Sequence, residues 1–352
     1  MDKRRRVRIR FRLWQKIMLW LLAFALTAWG VSASVTDIVK YANYYTYGAA
    51  EPEGEPKKFI KWAEFKAPYS ALERAMNYDI KSHKDGGGVS WIDLLSLCAV
   101  KYGGNWKKYG SKDMDAFYNK LSKNESVEGT AKNKYYSYFR EVYTAVLSGF
   151  LGRCKIETAD PADKTKTVVS EKYGLQVFSP IAAGYYYSEY DDFGSSRNYG
   201  YNRRHLGHDM MGSVGTPIIA VEGGVITECG WNQYGGWRVG IRTKDTKRYY
   251  YYAHLRKDRP FAPGIEKGKT VRAGDVIGYM GMTGYSTREN VNNIDKPHLH
   301  FGLQLIFDES QVKGPSEIWL DVYALTNLLK KNKMPTVKIA DTKDHMRKYN
   351  FV

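Results

Sequence analysis

Cysteine is scarce in this chain: three residues in 352, Cys98, Cys154 and Cys229, and no Cys-x-x-Cys pair. An odd number leaves at least one thiol unpaired within the chain, which excludes a disulfide scaffold, and the spacing argues against a thiolate zinc knuckle. Acidic side chains are also in deficit, 37 against 54 Lys and Arg, for a formal charge of +17. Such a surface draws anionic polymers or lipid headgroups. It could equally bind nucleic acid, but no nucleic-acid motif accompanies it, so no nucleic-acid partner is expected. Histidine is rare too, seven in all, and five of them fall between residues 205 and 300.

The excess charge is partly local. Residues 1–16 carry eight Lys or Arg and a single Asp, and residues 17–36 are then uncharged throughout. About 20 apolar residues cross a bilayer core as a helix. The positive-inside rule places the basic flank in the cytoplasm. A basic cytoplasmic segment over 1–16 and a transmembrane anchor over 17–36 are therefore expected, with the rest of the chain extracellular on a single-pass cell-membrane protein. Val31-Ser32-Ala33 resembles a signal cleavage pattern, so secretion after cleavage is the alternative. Both readings put the histidines outside the cytoplasmic membrane.

Residues 37–69 read as a linker, with Pro52 and Pro56 and no apolar period. Residues 70–152 read as an all-α helical module of about four helices. Ser70 with Glu73, and Ser90 with Asp93, have capping-box spacing. Trp91, Leu94, Leu95, Cys98 and Ala99 recur at helical intervals. Glu73, Glu125, Glu128 and Glu141 read as solvated faces rather than as a catalytic acid, and His83 as a surface residue. A protein partner of this module is an open expectation. Residues 153–172 are polar and read as a second linker, and residues 331–352 as a basic tail. Between them, over 173–330, short apolar runs broken by glycine indicate an antiparallel β-domain. Tyrosine is abundant throughout, at 29 residues, which suits tyrosine-rich strands and also peptide or glycan grooves.

His298 and His300 lie in one such run, and residues two apart on a strand share a face. Both imidazoles thus enter one pocket while Leu299 turns away. His205 and Asp209, four apart, can join them. Two His and one carboxylate on a zinc ion leave a fourth position open, as in catalytic sites. One of the paired histidines can then hold metal while the other handles protons. His208 competes on spacing, but on an extended segment it points opposite to Asp209.

His205-x-Gly207-x-Asp209, Gly215-Thr216-Pro217, Tyr252-Ala253-His254-Leu255, Gly278-x-x-Gly281-x-Thr283-Gly284 and His298-x-His300-Phe301 together resemble the LytM/lysostaphin-type zinc metallopeptidases. The resemblance covers roughly residues 175–310. It implies a LytM-like zinc peptidase domain over 173–330 that hydrolyses peptide bonds of bacterial peptidoglycan, with peptidoglycan peptides as substrate. It implies Zn2+ on His205, Asp209 and His300, with His298 and His254 catalytic. The expected architecture is then an N-terminal transmembrane helix, a helical module and a mainly antiparallel β metallopeptidase domain. The alternative is a zinc-containing extracellular scaffold of a trans-envelope assembly, such as a sporulation or conjugation complex, without turnover. A protease acting on proteins or secreted peptides is a third reading.

The chain departs from the family pattern between Thr287 and His298, where residues 288–296 intervene and are expected to loop out beside the metal and shape a groove wall. The tyrosine-rich stretch 185–194 is expected as an aromatic rim.

Overall fold

A computed structural model describes residues 59–163, 165–199 and 202–350. The expected basic segment, the anchor over 17–36 and most of the 37–69 linker lie outside these residues. Among the described residues no helix is long and apolar enough to cross a membrane. Asp308–Glu317 groups with the described residues before Ala63 as a small separate unit. It holds a 3-10 turn, Glu309–Gln311, closed by an Asp308 capping box. Everything discussed below belongs to the large unit, Ala63–Phe307 with Ile318–Val352.

Its first part is helical: α1 (Tyr69–Lys84), α2 (Trp91–Tyr102), α3 (Ser111–Ser122), the single turn α4 (Glu128–Ala131) and α5 (Tyr136–Leu147). The apolar period of α2 buries Trp91, Leu94, Leu95, Cys98 and Ala99 as the sequence predicts. Ser90 caps this helix by accepting from the Ile92 N–H, and Gly103 ends it in the left-handed region, where a missing Cβ removes the steric penalty. The expected cap at Ser70 does not form: α1 starts at Tyr69 behind Pro68, with no side-chain cap. His83 is not a free surface residue either. It is half-buried and stacks on Tyr173 with centroids 3.8 Å apart.

Residues 153–172 do not form a linker. β1 (Leu151–Ala159) and β2 (Thr167–Leu175) pair antiparallel along their whole length, from Leu151 opposite Leu175 to Ala159 opposite Thr167. Much of this ribbon is wet on both faces, so its strands carry little of the apolar alternation that marks a half-buried strand. The C-terminal segment is likewise no tail. β15 (Thr336–Lys338) and β16 (His345–Arg347) pair as a hairpin. His345 donates its N–H to the Tyr279 hydroxyl at 2.7 Å, and Arg259 pairs with Asp344 at 2.8 Å.

The remaining strands are β3 (Ser188–Glu189), β4 (Ser196–Arg197), β5 (Arg203–Arg204), β6 (His208–Met211), β7 (Pro217–Ile219), β8 (Gly224–Asn232), β9 (Gly236–Thr243), β10 (Arg248–Ala253), β11 (Thr270–Val271), β12 (Val276–Tyr279), β13 (His298–Leu305) and β14 (Ile318–Trp319). A main sheet of eight strands runs β11-β8-β9-β10-β13-β6-β3, with β14 paired to β13. Its pairings are all antiparallel. Its middle, β10-β13-β6, sets Ala253 and Asp209 on either side of His300. One face of β13 buries Leu299 and Phe301 fully in the core, and the opposite face carries the two histidines. The last helix, α6 (Tyr323–Leu329), follows β14.

A buried cation ties the helical module to the sheet. Arg248 at the start of β10 is 2% exposed and donates to the carbonyls of Ala145 at 2.7 Å and Ser148 at 3.0 Å, at the end of α5. The same guanidinium forks onto both carboxylate oxygens of Glu222 at 2.9 Å. A cation at a helix C-terminus also meets the negative end of the helix dipole.

Candidate metal centre

Three donor atoms converge where β13 and β6 pair. His205 Nε2 lies 3.0 Å from Asp209 Oδ1 and 2.9 Å from His300 Nδ1, and His300 Nδ1 lies 3.0 Å from Asp209 Oδ1. His205, Asp209 and His300 are the metal-capable cluster among the described residues. Donor atoms on tetrahedral zinc stand about 3.3–3.5 Å apart, so the triangle accepts such an ion with an adjustment of a few tenths of an ångström. Two ring nitrogens and an ionised oxygen facing one another have more lone pairs than protons, which is the chemistry a cation resolves.

The charge state fits. Burial opposes ionisation of Asp209, but hydrogen bonds from His205 and His300 and the positive potential of His300 and His298 outweigh it and hold the carboxyl far below its ordinary range. Burial holds the His300 imidazole below its ordinary value, against the pull of Asp209, so the ring stays neutral and able to ligate.

A supporting shell that spacing could not reveal surrounds the donors. His205 Nδ1 faces the Asp192 carboxylate at 3.1 Å, the carboxylate–histidine arrangement that orients a metal-bound imidazole. Arg197 spans both acids, 2.6 Å from Asp192 Oδ2 and 3.1 Å from Asp209 Oδ2. Gly207 leaves the space that the His300 ring fills: a Cβ there would stand 2.5 Å from Nε2.

His298 and His254 face each other beside the triangle, with ring centroids 4.7 Å apart. His298 Nδ1 lies 2.9 Å from the Lys296 carbonyl, and His254 Nδ1 lies 2.8 Å from the Thr283 carbonyl. A carbonyl only accepts, so both Nδ1 atoms carry the proton and both Nε2 atoms keep a lone pair. His298 Nε2 is 3.8 Å from Asp209 Oδ1. Burial, reinforced by the positive potential of His298 and His300, pushes His254 well below the ordinary imidazole value. His254 is held in the left-handed region at φ 62°. A non-glycine residue there costs on the order of 1–3 kcal/mol, and such strain concentrates at functional sites. Its N–H donates to the Gly235 carbonyl at 2.7 Å and its own carbonyl accepts from Gly281 at 2.9 Å.

All five predicted residues therefore meet in one site. His208 stays out of it, as its strand position predicts. It points away from Asp209 and bonds Glu189 at 2.8 Å. Two tyrosines of the 185–194 stretch, expected as an aromatic rim, pack elsewhere. Tyr185 reaches His345, and Tyr187 sits under Lys330 and Lys333. Its contribution to the centre is Asp192, which carried no sequence signal. The aromatic wall is built instead by Tyr199, Tyr234 and Tyr285. Tyr199 stacks on Tyr285 at 4.9 Å, and the Tyr285 ring lies 5.7 Å from that of His254. The 288–296 segment packs beside this wall. Its Asn290 accepts from Trp237 Nε1 at 2.9 Å, and Asn293 donates to the Tyr285 carbonyl at 2.6 Å.

A two-His, one-carboxylate triangle flanked by two histidines with free lone pairs is the donor set of a catalytic metal site. Residues 203–313 match peptidase family M23. Among similar proteins, the L-Ala–D-Glu endopeptidase of Bacillus subtilis is 39% identical over 124 residues, 35% of this chain and 36% of that protein. Lysostaphin of Staphylococcus simulans is 39% identical over 98 residues, 28% of this chain and 17% of that protein. The chain thus spans little more than a third, at most, of these relatives' length. A crystal structure of a lytM protein from Ruminococcus gnavus aligns with a TM-score of 0.54 at 19% identity, covering 85% of this chain and 98% of that one. That likeness is one of fold.

Proposed function

We propose that this chain is a zinc-dependent endopeptidase that hydrolyses peptide bonds of bacterial peptidoglycan outside the cytoplasmic membrane. The observation that carries the reading is the convergence of His205, Asp209 and His300 beside two histidines whose Nε2 lone pairs are free. The names of the endopeptidase relatives support the substrate class. The uncharged run over 17–36 behind a basic flank supports the location and the membrane as a partner.

Zinc on the triangle would supply Lewis-acid polarisation of a peptide carbonyl and activation of water. The remaining steps fall to the protein's own side chains. His298 Nε2 accepts a proton from the attacking water and returns it to the departing amine. His254 in its resting state also accepts at Nε2. It therefore orients the attacking water at the reacting centre. Asp192 and Arg197 fix His205 and Asp209. The helical module would hold this site against the wall or a partner protein.

The test uses the full chain, loaded with zinc, on purified cell walls. New amino groups should appear, vanish on chelation and return with added zinc. His298→Ala should reduce the rate by about 10²–10⁴-fold while zinc stays bound. Walls of several cross-link types that release no amino groups would overturn the reading in favour of a zinc-containing scaffold without turnover.

A further inference from the structure

Arg203 is a charge that the centre itself does not use. It stands directly opposite Arg197 in the β4–β5 hairpin. Like charges opposite one another destabilise a ladder. Arg197 is compensated by Asp192 and Asp209. Arg203 makes no ion pair among the described residues. Its guanidinium lies over the Tyr234 ring at 5.0 Å and the Tyr285 ring at 5.1 Å, and one N–H donates to the Tyr199 carbonyl at 2.9 Å. Stacking on ring faces fixes the plane of a guanidinium while leaving edge N–H groups for a forked pair with a carboxylate.

The place matters as much as the charge. Tyr285 lies beside both Arg203 and His254. Consecutive Cα atoms stand about 3.8 Å apart, so a carboxylate one or two residues from a bond lying at His254 comes within reach of Arg203. A lysine would be a mobile point charge there, whereas a clamped arginine presents two parallel donors.

We propose that Arg203, held by Tyr199, Tyr234 and Tyr285, is a carboxylate-binding subsite that selects acidic peptides, carrying a free carboxyl group within two residues of the cleaved bond, over neutral glycine-type bridges. This rests on the endopeptidase reading above. The step is non-covalent: the substrate carboxylate replaces water on the guanidinium edge.

The test compares a synthetic stem peptide bearing a free carboxylate, the same peptide with that group amidated, and a pentaglycine peptide, all on the zinc-loaded full chain. The acidic peptide should lead in kcat/KM by at least tenfold, chiefly through KM. Arg203→Gln should bring that ratio close to one, and Arg203→Lys should restore part of it, with zinc content equal in all three proteins. A binding arm does not depend on turnover. His298→Ala should bind the acidic peptide at least tenfold tighter than the amide, and His298→Ala with Arg203→Gln should not. Equal handling of the acidic and amidated peptides by the wild type, or a preference that survives Arg203→Gln, overturns the subsite while leaving the endopeptidase standing. Failure of every peptide to be cleaved counts against the endopeptidase, and the binding arm still decides the subsite.

Discussion

Asp192 and Gly207 shape the candidate metal site without being among its three donors. Asp192 holds His205 in one tautomer through Nδ1, and loss of such an outer partner typically costs 10–100-fold in metal affinity, by about the same factor here. Asp192→Ala should therefore bind zinc about 10–100-fold more weakly in competition with a chromophoric chelator, with the fold intact by circular dichroism. An unchanged affinity would remove Asp192 from the site. Gly207→Ala should be worse, since its Cβ meets the His300 ring and the Phe301 carbonyl at once. Zinc content measured on the folded protein should fall below stoichiometric. Glu189 has a different kind of role. Burial opposes its charge, but hydrogen bonds from His208 and Lys330 outweigh it and hold the carboxyl below its ordinary 4.5. A lowered folded value means that the stabilisation is complete above 4.5 and is lost as the pH falls through the folded value. Glu189→Gln should accordingly lower the melting temperature at pH 7, and the gap to wild type should close in acid. A gap that stays constant with pH would contradict the assignment.

Strand β13 shows how much of the site could be read from the chain. Alternation alone places His298 and His300 on one face and Leu299 on the other, and the sheet keeps that arrangement. The same parity argument correctly turns His208 away from Asp209. Parity says nothing about which strands lie side by side, so neither Asp192 nor the Arg197–Arg203 hairpin could be foreseen. Both depend on loops brought to β6 by tertiary packing. The ribbon β1–β2 and the hairpin β15–β16 were illegible for a related reason. They are held by backbone pairing and by polar contacts such as Arg259 with Asp344, and those leave no apolar period. The helices were easier, because α2 buries one apolar stripe and ends at a glycine. Ser70 misled, since capping-box spacing is common and the helix already starts at Tyr69 behind Pro68.

The joint between helices and sheet sets how the large unit comes apart. Arg248 is almost wholly enclosed and meets Glu222 and two carbonyls at the end of α5. Removing one partner of a buried charge pair costs about 3–5 kcal/mol. Arg248→Ala should lower the unfolding free energy obtained from denaturant melts by that order, with helical and aromatic signals still falling together. Separate transitions in the wild type would mean that the two parts are thermodynamically independent. The consequence reaches past stability to descent. A metal domain released by recombination from its helices would expose an arginine built to fill helix-end carbonyls, and would leave Glu222 and Arg248 paired in an open cleft. Gene shuffling could then move this domain alone only if position 248 changed with it. Relatives lacking the helices are expected to carry a smaller or apolar residue there, which aligned sequences can check directly.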